Sequence, residues 1–553
     1  MAKGDQQTLA DMTSVADKSR AEVAKGLSAG PFSRAQLDRA YGRGRWRPML
    51  RFGVWQKGKL RPCDDARSSG TNDGTSTCEK MACERADFPA RVARQIASEF
   101  SSRELKLRAL KAGTDDLADA YRHVPCADPR FSVVAVAKPG AITAENRVEY
   151  FTMAGFNFGL KSAVPSFNRF PEATTAIARQ LFSVVCSHYF DDFVVVEPAS
   201  TASSGQEVLR GLMALLNFPF AAAKAVDVRD HVTFLGVETD LSFVSSGEVV
   251  VAVSASRKRK LADEIEGILK EGYLSGARAA SLCGKLQFTL TWAFGKLGRA
   301  CMRPIYLFAA AHGGELPREV RTSLEYLWDI LPDLPARRVP LGRDFRPPIL
   351  VWTDGAFENQ GRLQDVGFLV LTPLEGAPSF SESGLGRRKY IERYYSARHG
   401  RGSVPEELRR RFCVSKQKIN QVELVAALLP YLTFPGEFAG RPVLHWIDNT
   451  AALAALTKGY SKASDSAHLV HAFHAWVTTS LSSVWFEWVK SAANPADEPS
   501  RDLDLASSPW HIASWLVSEP VDPVFPSLER LKDAKGWVKE AAAARERERK
   551  SAF

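Results

Sequence analysis

The sequence has no C-x-x-C pair among its eight cysteines. It therefore lacks the spacing on which zinc sites and thiol redox centres depend, and the scatter suits a reducing compartment. It has no run of about 18 or more apolar residues, the length a membrane helix needs. The N-terminal stretch MAKGDQQTLADMTSVADKSR carries no apolar core of the secretory kind. No internal repeat is visible, which sets aside solenoids and fibrous arrays. These absences predict an intracellular protein, cytoplasmic or nuclear, without a membrane partner.

What is present is a globular balance, 45% hydrophobic against 25% charged residues, so disorder does not dominate. At 553 residues the chain exceeds one ordinary core, and a domain size of roughly 100–200 residues predicts about three to five compact units. Lys and Arg outnumber Asp and Glu by 73 to 63, a net charge of +10. That excess favours a polyanionic partner without specifying one.

Texture divides the chain. Residues 1–40 are polar and weakly helical, a leader expected to add little core. Residues 41–250 alternate strand-like runs such as HYFDDFVVVEP with helical ones such as AVPSFNRFPEATTAIARQLFSVV, an α+β pattern. Residues 251–335 read as nearly all helix, and the Pro- and Arg-rich stretch 336–348 reads as a linker. A second α/β unit is expected over 349–510, opening on ILVWTDGAF, and 511–553 end in a charged helix or tail.

The stretch CSHYFDDFVVVEP sets Asp191 and Asp192 side by side between strand-like runs. Turn chemistry alone would favour such a pair. Its neighbours change the reading. Asp116 in TDDLADAYRHVP, then Gly159 and Lys161 in FNFGLKSAVPSFNRF, then Lys224 and Phe234-Leu235-Gly236, flank the pair in order along the chain. Upstream, Arg61, Asp65 and Arg67 keep an R-x-x-x-D-x-R spacing. In these motifs, residues 50 to about 310 resemble the fingers, palm and thumb of reverse transcriptases.

The resemblance implies a right-hand polymerase: fingers, a palm on an antiparallel sheet, and a helical thumb. It implies that Asp116, Asp191 and Asp192 are catalytic and, with the backbone at Leu117, hold two Mg2+ ions, for which Mn2+ can substitute. Asp191 is the ligand expected opposite Asp116, Asp192 a supporter and Asp119 an outer neighbour. Arg61, with Lys57 or Lys59 as helper, would meet the dNTP triphosphate. Tyr121 would close the sugar pocket against a 2′-hydroxyl. Gly159 and Lys161 would pack beneath the nucleotide, and Lys224 would serve the same substrate. Two metal ions about 3.5–4 Å apart hold the attacking and leaving oxygens of such a displacement. Magnesium takes carboxylate oxygens, and clustered carboxylates raise one another's pKa until a cation arrives.

Arg257, Lys258, Arg259 and Lys260 open a helix, where cations oppose the macrodipole. A thumb laid on a phosphodiester backbone would give them a purpose, with Lys285, Lys296 and Arg299 extending the strip. A solvated face or a nuclear-import tetrapeptide would read the same way.

A second set of acids follows. Asp354 ends the strand-like ILVWTDGAF, Glu423 lies in the helical INQVELVAALLPYL, Asp448 follows VLHWI, and Asp497 lies in SAANPADEPSR. Their order and contexts resemble a type 1 ribonuclease H, an α/β fold whose D-E-D-D set binds two metal ions and cuts RNA in a hybrid. The resemblance makes all four catalytic metal ligands. VKSAANPADEPSR lacks the loop histidine that many ribonucleases H carry, and Lys490 is the alternative group there. The short NPADEPSR ending resembles DIRS-like retroelements.

Together these resemblances predict a retrotransposon RNA-directed DNA polymerase with ribonuclease H activity, acting on RNA template, DNA primer, RNA/DNA hybrid and dNTPs. A decayed or domesticated element protein that only binds nucleic acid is disfavoured by the intact acids. An RNA-directed RNA polymerase is disfavoured by Tyr121 and the ribonuclease H set.

Overall fold

The computed structural model describes residues 9–527 except 57, 77–79, 103–108, 139–146, 294, 343–345, 359–362 and 413–417. The chain is a mixed α+β protein that divides into two compact units, Met1–Leu235 with Thr239–Ser246, and Gly236–Glu238 with Gly247–Phe553. That is fewer than length alone suggested. The reason is that the helical segment shares one core with the C-terminal fold, as described below.

The first unit contains α1 (Leu9–Ala24), β1 (Ser28–Phe32), α2 (Arg34–Tyr41), β2 (Pro48–Gln56), β3 (Lys59–Asp65), α3 (Phe88–Ser102), β4 (Leu110–Asp116), β5 (Val133–Ala137) and β6 (Val148–Met153). It continues through α4 (Ala163–Phe182), β7 (Cys186–Tyr189), β8 (Asp192–Pro198), α5 (Ser204–Leu215), β9 (Val226–Arg229) and β10 (His231–Phe234). One sheet has the order β1-β6-β5-β2-β3, and a second has the order β7-β8-β4-β9. The first forty residues, read from composition as adding little core, bury Val15 and Ala16 against Leu60, Val134 and Phe151. They also supply the edge strand β1, antiparallel to β6.

Strand β8 lies between β7 and β4, and Phe193 through Val196 are all buried. Such a run reads as continuously apolar because both faces are covered. Phe167 and Ala178 of α4 and Leu209 and Met213 of α5 pack on Phe193 and Val195. In β4 successive side chains take opposite faces. Asp115 turns inward to Gln206 and Arg210, at 2.8 and 2.9 Å, which leaves Asp116 for the other side.

After β11 (Val237–Asp240), the second unit opens with β12 (Glu248–Val253), α6 (Ala255–Glu271), β13 (Tyr273–Ser275), α7 (Gly276–Trp292), α8 (Arg299–Ala310), β14 (Gly313–Glu315) and α9 (Arg318–Ile330). The stretch read as a linker contains β15 (Arg337–Pro340), paired with β12. Then come β16 (Ile349–Glu358), β17 (Leu363–Pro373), α10 (Phe380–Ser383), α11 (Arg387–Tyr394), β18 (Tyr395–Ser403), α12 (Glu406–Arg409), α13 (Ile419–Thr433), α14 (Pro435–Phe438) and β19 (Pro442–Ile447). The unit closes with α15 (Thr450–Lys458), α16 (Ser464–Ser480), β20 (Ser483–Trp488), α17 (Asp497–Arg501), β21 (Trp510–Ala513) and β22 (Leu516–Val521). Seven strands form one sheet in the order β20-β19-β16-β17-β18-β22-β21. The start of the stretch read as a tail thus supplies two strands, β22 running parallel to β18.

Helix α13 is buried continuously from Gln421 to Leu432. A helix that is apolar all round belongs inside, and α13 packs against β16 and β17 on one side and α15 and α16 on the other. The same core takes in Leu261 and Ile265 of α6, Leu286 of α7 and Leu324 of α9 with Val351 and Phe473, and α8 packs against α16. Among the described residues no helix is long and apolar enough to cross a membrane.

Candidate active sites

In the first unit β4 runs antiparallel to β8 with Asp116 opposite Asp192. The β7–β8 hairpin closes on the Tyr189/Asp192 pair and leaves Phe190 and Asp191 at its tip. Phe190 sits at φ +53°, a left-handed conformation that bulky residues rarely adopt. The Leu117 amide donates to the Asp191 carbonyl at 2.9 Å, so the backbone after Asp116 is fastened to the tip. Strand register thus sets Asp192 beside Asp116, and Asp191 joins from the turn between the strands.

Burial pushes the Asp192 carboxyl up to about 7, helped by the charges of Asp191 and Asp116 and by a hydrogen bond with Asp116. Burial, then Asp116, also raises Asp191, while Lys224 and Arg61 oppose the shift. Lys224 is ion-paired with Asp116. Burial and then the Asp191 charge raise the Tyr121 phenol, and Tyr121 packs on the same apolar cluster as Leu117 and Phe190, the chain neighbours of Asp116 and Asp191. Tyr121 packs edge-on against Phe158, centroids 5.2 Å apart, and at a tilt against Phe167 at 4.8 Å. Asp119 turns away to an exposed ion pair with Lys25 at 2.9 Å.

Gly159 holds φ +116°, and a Cβ there would lie 2.1 Å from the Asp64 carbonyl oxygen, so a side chain does not fit. Asn72, which the sequence gave no reason to single out, fastens this turn. Its amide donates to the Gly159 carbonyl at 2.9 Å, and its oxygen accepts from the Lys161 backbone at 2.7 Å. Arg61 and Lys59 are exposed on β3, while Lys57 lies outside the described residues.

Of the cations on the helical segment, Arg257 lies 4.2 Å over the Phe288 ring and Lys258 donates to the Pro332 carbonyl at 3.0 Å. Burial lowers the pKa of both. Lys285 is paired with Glu264 at 2.8 Å, and Lys296 donates to the Thr457 carbonyl. Arg259 and Lys260 are the exposed members of the tetrad. These neighbours offset part of the conflict with the α6 dipole.

In the second unit Asp354 lies within β16, which continues four residues further than the sequence implied, between β17 and β19. Glu423 comes from α13, and Asp448 directly follows β19. One ligand oxygen from each of these three lies within 4.8 Å of the others, a group that could hold a metal ion. Gly355 makes the crossing of α13 feasible: a Cβ there would come within 2.9 Å of the Glu423 nitrogen. Asp354 and Glu423 are each 3% exposed. Burial, opposed by a 2.5 Å hydrogen bond from Ser500 and reinforced by Asp448 and Asp497, holds Asp354 at about 6. Burial and then Asp354 and Asp448 hold Glu423 well above the carboxylate range.

The Glu423 Oε2 atom is buried with no hydrogen-bond partner among the described residues. An orphaned carboxylate oxygen beside two more carboxylates fits a hard dication. Asp497 opens α17, is ion-paired with Arg501 at 2.8 Å, and stays outside the group of three while its charge still bears on Asp354. Sequence reasoning missed Ser500 and Asn494, the latter tying the loop to the Thr353 carbonyl at 3.1 Å. Ser500 had a signal, one helical turn after Asp497. Lys490 is exposed.

No protein-family model matches the chain, and no curated protein matches it. Solved structures of the foamy viral protease-reverse transcriptase do. One, the dRH form in complex with double-stranded DNA, is 14% identical with a TM-score of 0.42, covering 89% of this chain and 71% of that one. A second, with double-stranded DNA, is 13% identical with a TM-score of 0.42, covering 88% and 84%. A third, with an RNA/DNA hybrid, is 13% identical with a TM-score of 0.43, covering 89% and 55%.

Proposed function

We propose that the chain is an RNA-directed DNA polymerase of a retroelement, of the DIRS-like kind on its NPADEPSR ending, and that its second unit cleaves the RNA of RNA/DNA hybrids. The observation that carries this reading is the presence of two acid clusters, each assembled from positions far apart in sequence at a different sheet. Asp116, Asp191 and Asp192 gather beside Tyr121, and Asp354, Glu423 and Asp448 gather around one point.

Bound Mg2+, about two per site, would activate the attacking oxygen and neutralise the leaving group. Asp116, Asp191 and Asp192 would hold it in the first unit, and Asp354, Glu423, Asp448 and Asp497 in the second. The chain's own residues do the rest. Tyr121 and Phe158 wall the sugar position, so a 2′-hydroxyl would meet a ring. Arg61 presents a cation toward the acids from β3, suited to a triphosphate. The Gly159–Lys161 turn, held by Asn72, offers a close backbone floor to a base pair. In the second unit Ser500 fixes the orientation of Asp354, and Asn494 holds the loop that carries Asp497.

The test is primer extension on an RNA template with dNTPs and Mg2+, run beside cleavage of a labelled hybrid. Asp191→Asn is expected to abolish extension and spare cleavage, and Asp448→Asn to do the reverse. Loss of both activities in either variant would refute two separate sites.

A further inference from the structure

Beneath the Tyr121–Phe158 wall lies a buried charge cluster that the catalytic reading leaves unused. The side chains of Arg51, Arg122 and Asp64 are 0%, 2% and 1% exposed. Arg51 grips Asp64 with two hydrogen bonds, 2.7 and 3.2 Å, and the Arg122 guanidinium lies 3.8 Å from the same carboxylate. Two guanidiniums against one carboxylate leave a net positive charge in the interior, which is costly unless paired. The missing charge comes from α1: Glu22 accepts from Arg51 at 2.6 Å and from Arg122 at 3.2 Å.

Arg122 directly follows Tyr121 in the chain. Its guanidinium donates to the Phe156 carbonyl at 2.9 Å and lies 4.9 Å from the Phe158 ring centroid. The Phe156 amide in turn donates to the Tyr121 carbonyl at 3.1 Å. Asp64 accepts from Asn157 at 3.0 Å, and its carbonyl abuts Gly159. Tyr121, Phe158 and Gly159 are thus each tied to this cluster.

We propose that Glu22 is a positioning residue for the nucleotide pocket: by neutralising Arg51 and Arg122 it holds the Tyr121–Phe158 wall and so sets discrimination against ribonucleotides, a role that rests on the polymerase reading above. Glu22→Gln keeps the shape and removes the charge. Taking the charge out of its bonds to Arg51 and Arg122 is expected to raise the dNTP KM and to lower the dNTP/rNTP selectivity roughly tenfold, with kcat within about twofold. Arg122→Lys, which keeps the charge and loses the fork, is expected to lower the selectivity in the same way. Lys25→Ala severs the exposed tie of α1 to Asp119 and is expected to change neither quantity.

Single-nucleotide incorporation by the full chain reads these values, and a dNTP kcat within about twofold of wild type, with an unchanged circular dichroism spectrum, reports an intact first unit. Wild-type KM and selectivity in folded Glu22→Gln would overturn the proposal. So would an equal shift in Lys25→Ala, since any loosening of α1 would then suffice. A wild-type chain that cleaves hybrid but extends no primer would refute the polymerase reading itself, and the proposal with it.

Discussion

Of the four buried histidines among the described residues of the second unit, His445, His471 and His474 should make it acid-sensitive in a way that one substitution can isolate. His445 sits between the Thr353 and Tyr431 hydroxyls, 2.9 Å from each. His471 lies edge-on to Tyr326, centroids 4.3 Å apart. His474 donates through Nε2 to the Leu456 carbonyl at 2.9 Å, and its Nδ1 has no partner among the described residues. Burial lowers all three from an ordinary 6.5, His445 and His474 to about 3 and His471 to about 4. For His474 the Leu456 carbonyl opposes the shift, and the nearby Lys296 and Arg299 add to it.

The folded state therefore prefers the neutral ring. As pH falls below 6.5 the unfolded chain takes up protons that the folded chain refuses, and stability drops by about 1.4 kcal/mol per pH unit per ring. At pH 5 that is about 2 kcal/mol for each ring and about 6 for the three, comparable with the 5–15 kcal/mol that holds a domain together. Asp354 and Glu423 act in the opposite sense, because the folded state takes up their protons first. Comparison with His474→Gln cancels them. Urea midpoints of the full chain, with hydrogen exchange of the α16 amides, should show the variant losing about 2 kcal/mol less than wild type between about pH 7.5 and 5. Parallel curves would refute the reasoning.

Other perturbations separate the remaining ideas. Glu423→Gln removes a buried carboxylate with an orphaned oxygen, so without divalent cations it should stabilise the chain by about 1–3 kcal/mol at neutral pH and shrink the thermal shift given by Mg2+; an undiminished shift counts against Glu423 as a ligand. Gly367→Ala would put a Cβ 2.4 Å from the Ser500 nitrogen. Displacing α17 in this way should cut hybrid cleavage by roughly a hundredfold and leave extension alone, and normal cleavage would show that α17 does not place the site. Tyr121→Ala should admit ribonucleotides, read as misincorporation on an RNA template, and unchanged selectivity would sink the steric role.

The acids were legible because each lies in a short recognisable context: Asp354 in an apolar strand, Glu423 in a helix read as burying one apolar face, Asp448 at the edge of VLHWI. Their convergence followed from the motif resemblance, and the strand register did not. Strand register put Asp192 opposite Asp116, and no local pattern announces register. Glu22 was invisible for a stronger reason. It lies in a polar stretch, and its partners Arg51 and Arg122 are 29 and 100 residues away, so charge pairing at that distance leaves no periodic trace. The tetrad at 257–260 was legible as charge, but Phe288, Pro332 and Glu264, which engage the strip, were not.

The core shared by α6–α9 and the sheet carrying Asp354 has a consequence for how this chain can be cut and recombined. Severing it at the Pro- and Arg-rich stretch before β16 would not release a self-sufficient fold. It would strip Leu261, Leu286 and Leu324 from their apolar surroundings and leave a fragment prone to aggregate. A soluble fragment carrying Asp354 should begin near Gly247 and bring its helical companion with it. Recombination that moved the sheet without α6–α9 would break this core, so the two parts travel as a single heritable cassette.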